Sequence, residues 1–136
     1  MKILADTNIL ISAMLWPASK PAAALLHAAR NHELILCDRN LFELRDVLRR
    51  KAPQALPDVE VFLAELAFDL VAAPEHPQKL IRDPKDQPIL NAAILADVDI
   101  IISGDKHFLE LDLERPKTLT AAQYLEQMGA DKGCCK

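Results

Sequence analysis

Short apolar runs alternate along the chain with longer stretches in which leucine and alanine return every three or four positions. A compact apolar run bounded by polar residues is typical of a strand that is buried on both faces of a sheet. These runs predict strands over Lys2–Ala5, Leu34–Cys37, Asp69–Ala73, Val98–Ile102 and Lys117–Leu119, the last of them at a sheet edge.

Helical spacing of the apolar residues predicts helices in the intervals between these strands and after the last one. The predicted helices cover Ile9–Leu15, Ser19–Arg30, Asp38 to about Lys51, Val59–Phe68, a stretch that begins at Asp86, a brief one from Asp105 to near Leu111, and Ala121–Met128. Thr7 and Asn8 are expected to cap the first helix, Ser19 the second and Asp38 the third, because each offers a side-chain oxygen before a helical stretch. Gly129 is expected to stop the last helix.

The order of these elements predicts the fold class. Strands that alternate with helices favour a parallel sheet covered on both faces, since parallel neighbours need a crossover connection. We therefore expect an α/β protein with three layers, α/β/α, around a central and mainly parallel sheet. A chain of 136 residues suits one such domain. We place that domain over 1–128 and expect a tail without fixed structure over 129–136.

Charge and cysteine content say more about the cellular compartment of the protein than about its function. A formal net charge of −4 does not mark the whole surface as a nucleic-acid binder, and it leaves room for a local basic rim. Cys37 lies in an apolar run and is expected to be buried, while Cys134 and Cys135 stand near the end, so no disulfide framework is predicted. Neither a secretory signal nor a membrane-spanning run is recognised. We expect a reducing, cytoplasmic setting.

Four acidic residues are predicted to meet at the carboxyl edge of the sheet, where parallel α/β folds collect their functional groups. Asp6 directly follows the first strand, Glu43 lies early in the helix after the second, Asp86 opens a helix, and Asp105 follows the fourth strand. Each alone has an ordinary explanation as a helix cap or a solvated residue. Together their charges would repel unless a cation neutralised them, and oxygen ligands of this kind suit Mg²⁺ or Mn²⁺.

Basic and aromatic residues give a weaker indication of the substrate. Arg82, Lys85 and Lys106 flank the acidic motifs and are candidates for phosphate contacts. The aromatic residues, Trp16 and Phe42 among them, are expected mostly in the core or at helix interfaces. Stacking on nucleic-acid bases therefore has little visible basis in the sequence.

Three segments of the chain together resemble one protein family. They are ILADTNILISA, LFELRDVLRR and RDPKDQPILNAAILADVDIIISGDKHFLEL, and the similarity extends from Lys2 to about Leu125. Their order and spacing closely resemble PIN domains, and most of all the bacterial toxin components of toxin–antitoxin pairs related to VapC-type toxins. The resemblance implies an endoribonuclease that depends on Mg²⁺ or Mn²⁺.

The resemblance also implies roles for individual residues. The four acidic positions of the family fall on Asp6, Glu43, Asp86 and Asp105, which would be both metal ligands and catalytic residues. Asp86 is preferred over Asp83 because it directly precedes the PILNAA helix. One departure from the family pattern is His107, where close relatives often carry another Asp.

Supporting residues and partners follow from the same resemblance. Thr7 and Asn8 would orient Asp6 or its metal-bound water. Ser103 would form a hydrogen bond near the fourth acid or a phosphate oxygen. The partners implied are an RNA substrate, an antitoxin protein and a second copy of the chain in a homodimer.

Three alternative functions are weighed against this one. A haloacid-dehalogenase-like phosphatase needs a second acid two residues after Asp6, and Asn8 stands there. A phosphorylated receiver domain needs paired acids after the first strand, and only Asp6 is present. A catalytically silent PIN-fold module that binds RNA or protein stays open, although all four acids are retained. Zinc-ligand spacing, P-loops and GxSxG or GxGxxG motifs are absent from the sequence.

Overall fold

A computed structural model describes residues 1–72, 90, 92–94, 96–104, 109 and 116–129. These residues form a five-stranded sheet in the order β3-β2-β1-β4-β5, in which every neighbouring pair is parallel. The strands are β1 (Lys2–Ala5), β2 (Glu33–Cys37), β3 (Asp69–Val71), β4 (Ile100–Ile102) and β5 (Lys117–Leu119). The predicted α/β class is confirmed, and β5 lies at an edge as expected.

The central strands are buried on both faces, which explains their nearly continuous apolar sequences. Ile3 and Ala5 of β1 pack into one hydrophobic cluster, and Leu4 between them packs into another. The first cluster contains helix residues such as Leu44, and the second contains Leu90, which is also helical. Helical residues therefore cover both sides of the sheet, and the three-layer prediction is confirmed.

Most of the described helices pack against the first cluster. The described helices are α1 (Thr7–Leu15), α2 (Lys20–Asn31), α3 (Asp38–Lys51), α4 (Leu56–Glu65) and α5 (Ala121–Tyr124), with a 3₁₀ turn at Pro53–Ala55 and a π-helical turn at Leu125–Gly129. None of these helices is by itself long and apolar enough to cross a membrane. By length and composition alone, α1 and α2 pass that test only as a pair bent by 108°.

Two of the predicted helix caps are wrong, and both errors have the same cause. The cap of α1 is Asp6, whose carboxylate accepts from Ile9 N, whereas Thr7 and Asn8 already belong to the helix. The cap of α3 is Cys37, and Asp38 is the first helical residue. In both places the cap is a residue with extended backbone that lies at or directly after the end of the preceding strand. Ser19 caps α2 as predicted.

The predicted bounds of the fourth helix are also wrong. The fourth helix begins at Leu56 and ends at Glu65, because Pro57 fits its first turn and does not interrupt it. The last predicted helix changes to π geometry after Tyr124, and this π-helical turn ends at Gly129. The tail over 130–136 lies outside the described residues, and its lack of fixed structure stays a prediction.

Candidate functional site

Asp6 lies where β1 ends and α1 begins, at the carboxyl edge of the sheet. Its backbone is still extended, with φ −81° and ψ 173°, and its N–H donates to the carbonyl of Ile102 at 3.1 Å. The carboxylate turns back over the start of α1, and Oδ1 accepts from the N–H of Ile9 at 2.9 Å. Only 3% of the residue is exposed. Asp6 is therefore a buried carboxylate held rigidly at a helix N-terminus, where negative charge is favoured.

Ser103 supplies a second hydrogen bond to this carboxylate. It follows β4, its N–H donates to the carbonyl of Leu119 at 2.9 Å, and its hydroxyl donates to Oδ2 of Asp6. Ser103 is fully buried. Each oxygen of Asp6 thus accepts a hydrogen bond from a different element of the fold, which fixes the plane of the carboxylate.

Glu43 reaches the same edge from the first turns of α3. Its Oε1 accepts from the hydroxyl of Thr7 at 3.3 Å, and Thr7 is the buried residue that directly follows Asp6. The structure therefore brings together Asp6, Thr7, Glu43 and Ser103, four of the residues that the sequence singled out. Asn8 is exposed on α1.

Asn40 completes this polar cluster, and the sequence reasoning missed it. It is fully buried; its Nδ2 donates to Oγ1 of Thr7 at 3.1 Å, and its Oδ1 accepts from the N–H of Cys37 at 3.1 Å. A signal was available, since Asn40 precedes the buried Leu44 and Leu48 by four and eight positions. A polar residue on the apolar stripe of a helix is expected to have specific partners.

The family model described as PIN domain matches residues 2–107. The chain belongs to the PIN-domain family. No curated protein sequence matches it. Among solved structures, the chain is similar to one described as VapBC2 from Rickettsia felis bound to a DNA fragment from their promoter. That match has a TM-score of 0.68 and 17% identity, and it covers 88% of this chain and 98% of the other, so it supports the fold.

Part of the predicted site of this PIN domain lies outside the described residues. This applies to two of the four acids, the three basic residues and two neighbours of the acids, namely Asp86, Asp105, Arg82, Lys85, Lys106, Asp83 and His107. Within the described part of the chain, no three His, Cys, Asp or Glu side chains are grouped closely enough to hold a metal ion. Asp6 and Glu43 present oxygen donors only, and that donor chemistry fits Mg²⁺ or Mn²⁺.

Two aromatic residues of this PIN domain, one on α3 and one at the end of α1, are more exposed than the sequence predicted. Phe42 is 71% exposed and Trp16 is 60% exposed, so the prediction that they lie in the core or a helix interface is wrong. A groove of about 280 Å³ runs beside Phe42 and includes Glu43 in its lining. Arg39 and Arg50 also line it, and Arg50 forms an ion pair with Asp46 at 3.1 Å.

Cys37 lies beneath the site and contributes as a small apolar residue, as predicted. It is fully buried within the second hydrophobic cluster. Burial raises the pKa of its thiol to about 11. The thiol therefore stays protonated at neutral pH, and nucleophilic thiolate chemistry is not favoured at this position.

Proposed function

We propose that this PIN domain is an endoribonuclease that hydrolyses RNA phosphodiester bonds with the help of Mg²⁺ or Mn²⁺. The observation that carries the proposal is the connection of two acids at the carboxyl edge of the sheet. Asp6 is buried and fixed by Ile9 and Ser103, and Glu43 is tied to the adjacent Thr7. A structural role alone would not require a second carboxylate beside the helix cap.

The proposed ligands of the metal are Asp6 and Glu43, together with Asp86 and Asp105. Asp6 is the proposed central ligand because strand β1, helix α1 and Ser103 all restrain it. When bound, a divalent cation would polarise the scissile phosphate and lower the pKa of an attacking water. Glu43 is placed as a further ligand or as the acceptor of the proton that this water releases.

The proposed reaction is a direct displacement at phosphorus by water. The water oxygen forms a bond to phosphorus, the bond from phosphorus to the 3′ oxygen breaks, and one proton passes to Glu43. The leaving 3′ oxygen takes up a proton from solvent. The products carry 5′-phosphate and 3′-hydroxyl ends, and the reaction needs no covalent intermediate.

The groove along α3 supports a path for a single RNA strand to the acidic centre. The exposed ring of Phe42 offers a stacking surface for an unpaired base, and such stacking tolerates any base. Arg39 is an exposed cation in the lining of the same groove. Arg82, Lys85 and Lys106, which flank Asp86 and Asp105 in sequence, are proposed to contact phosphates of the RNA.

The biological setting that we propose is the toxin half of a toxin–antitoxin pair in the cytoplasm. The resemblance of the acidic motifs to VapC-type toxins supports it, and so does the likeness of the fold to VapBC2 from Rickettsia felis. An antitoxin protein and a second copy of the chain are the proposed protein partners.

The decisive experiment is cleavage of labelled single-stranded RNA in Mg²⁺, in Mn²⁺ and in EDTA. The variants are Asp6→Asn and Glu43→Gln, with Asp69→Asn as the matched control. Asp69 is exposed at the amino end of β3, whereas Asp6 lies at the carboxyl edge of the sheet. We expect cleavage that needs metal, disappears in the first two variants and persists in the control. Activity that survives Asp6→Asn would overturn the site. No cleavage of several RNAs by folded protein would favour a catalytically silent PIN module.

A further inference from the structure

We propose that Asn40 is a positioning residue that directs the hydroxyl of Thr7 towards Glu43 and so holds Glu43 in place for metal binding. The inference deepens the proposed function and rests on it. It concerns three residues on two helices, Asn40 and Glu43 of α3 and Thr7 of α1.

The first step is the orientation of the Asn40 side chain. The backbone N–H of Cys37 lies 3.1 Å from one end of the carboxamide, and an N–H can only donate. The end that faces Cys37 must therefore be the oxygen, Oδ1. This leaves the NH₂ group, a donor, to face Oγ1 of Thr7 at 3.1 Å.

The second step is the direction of the Thr7 hydroxyl. Its oxygen accepts from Asn40 Nδ2, and a hydroxyl carries a single hydrogen that it can donate elsewhere. The oxygen Oε1 of Glu43 lies 3.3 Å away and, in its ionised form, can only accept. The hydrogen of Thr7 therefore points at Glu43. The backbone N–H of Cys37 thus donates to Asn40, and the amide of Asn40 donates to Thr7. The hydroxyl of Thr7 then donates to the carboxylate of Glu43.

The third step is the effect on the site. The hydrogen bonds from Asn40 to Thr7 and from Thr7 to Glu43 form what we call the relay. Because Thr7 directly follows Asp6, the relay connects α3 to the residue next to Asp6. A carboxylate that accepts a fixed hydrogen bond at one oxygen keeps the other oxygen available for a metal ion or water. Loss of a residue that orients a metal ligand typically weakens metal binding roughly 10- to 100-fold.

A simple capping role makes a different prediction. Oδ1 of Asn40 accepts from the backbone N–H of Cys37 and so stabilises the start of α3. This hydrogen bond does not involve Thr7. If capping were the whole role of Asn40, the Thr7 hydroxyl would still donate to Glu43 without it, and metal binding would be unchanged in Asn40→Ala. Removal of Asn40 would lower stability alone.

The test is a double-mutant cycle on Mn²⁺ affinity, measured by calorimetry, with Asn40→Ala, Thr7→Val and the double variant. Thr7→Ser is the conservative control because it keeps the hydroxyl. We expect about tenfold weaker Mn²⁺ binding in each single variant, no further loss in the double variant, and nearly native affinity in Thr7→Ser. Independent losses that multiply in the double variant would overturn the relay.

A second measurement does not depend on whether Asn40→Ala folds. In NMR spectra of the wild type, one carboxamide proton of Asn40 should exchange slowly with solvent because it is hydrogen-bonded to Thr7. Thr7→Val should change the chemical shift of this proton, while Thr7→Ser should not. Mn²⁺ binding that is unaffected by Thr7→Val would overturn this inference and leave the nuclease proposal standing. A wild type that neither binds Mn²⁺ nor cleaves RNA would overturn the proposed function and, with it, the metal part of this inference.

Discussion

The hydroxyl of Ser103 donates a hydrogen bond to Oδ2 of Asp6, although 97 positions separate the two residues in sequence. They meet because β1 and β4 are parallel neighbours in which Ala5 is paired with Ile102. Each residue is the first after its strand. The contact joins the proposed central metal ligand to the middle of the sheet.

Ser103→Ala should lower both activity and stability. It removes one hydrogen-bond donor from a buried carboxylate, and an incompletely paired buried group costs about 1–3 kcal/mol of the free energy of unfolding. The looser carboxylate should also reduce Mn²⁺ affinity roughly tenfold. Urea denaturation and Mn²⁺ titration measure the two effects. Ser12→Ala on α1 is the control, and equal losses in both variants would contradict a specific role for Ser103.

Phe42→Ala should weaken binding of single-stranded RNA without changing metal affinity. The ring is 71% exposed beside Glu43, so its removal costs the core little, and loss of one stacked base is worth about 1–3 kcal/mol. The measurement is RNA affinity by fluorescence anisotropy with Ca²⁺ in place of Mg²⁺. Val61→Ala is a matched control on α4, since Val61 is 59% exposed. Unchanged RNA affinity in Phe42→Ala would exclude the α3 groove as the path of the strand.

Cys37 should be unreactive in the folded protein. Burial raises its thiol pKa to about 11, so almost no thiolate exists at pH 7.5, and the sulfur lies in the core. In a Cys134→Ser, Cys135→Ser background, DTNB should detect no thiol until urea unfolds the chain. The raised pKa also means that Cys37 contributes stability below the pKa of the unfolded thiol, and that this contribution is lost as pH rises towards 11. Rapid labelling of native protein would contradict the burial of this residue.

Tyr124 should ionise only at very high pH. Burial raises its pKa to about 12, and its hydroxyl lies 2.8 Å from Nδ1 of His27. Since the folded pKa lies above the unfolded value of about 10, the contribution of Tyr124 to stability is complete below pH 10 and is lost as pH rises to 12. Tyr124 is the single tyrosine of the sequence, so absorbance at 295 nm reports it alone. Circular dichroism would monitor folding, and a midpoint near 10 in folded protein would contradict the assignment.

The sequence predicted those features that depend on local pattern. The strand Lys2–Ala5 and the helix cap Ser19 match the structure because short apolar runs and capping side chains act over a few residues. The placement of Asp6 after β1 and of Glu43 early in α3 was predicted for the same reason. The α/β class followed from the alternation of these local elements, which leaves parallel pairing as the favourable arrangement.

Features that depend on distant contacts were mispredicted or missed. Asp6, Thr7 and Asn8 are all acceptable helix caps by composition. Asp6 takes that role because its N–H pairs with Ile102 and keeps it extended. Asn40 lies on the apolar stripe of α3, but its role was missed because its partner Thr7 stands 33 positions away in sequence.

The sequence by itself determined that Asp6 directly follows β1 and that Glu43 lies early in α3. Only the tertiary structure decided that Ser103 donates to Asp6 and that Asn40 reaches Glu43 through Thr7. The physical reason is that hydrogen bonds across parallel strands and between helices join residues far apart in sequence. Their geometry follows from how the elements pack, and no local pattern encodes it.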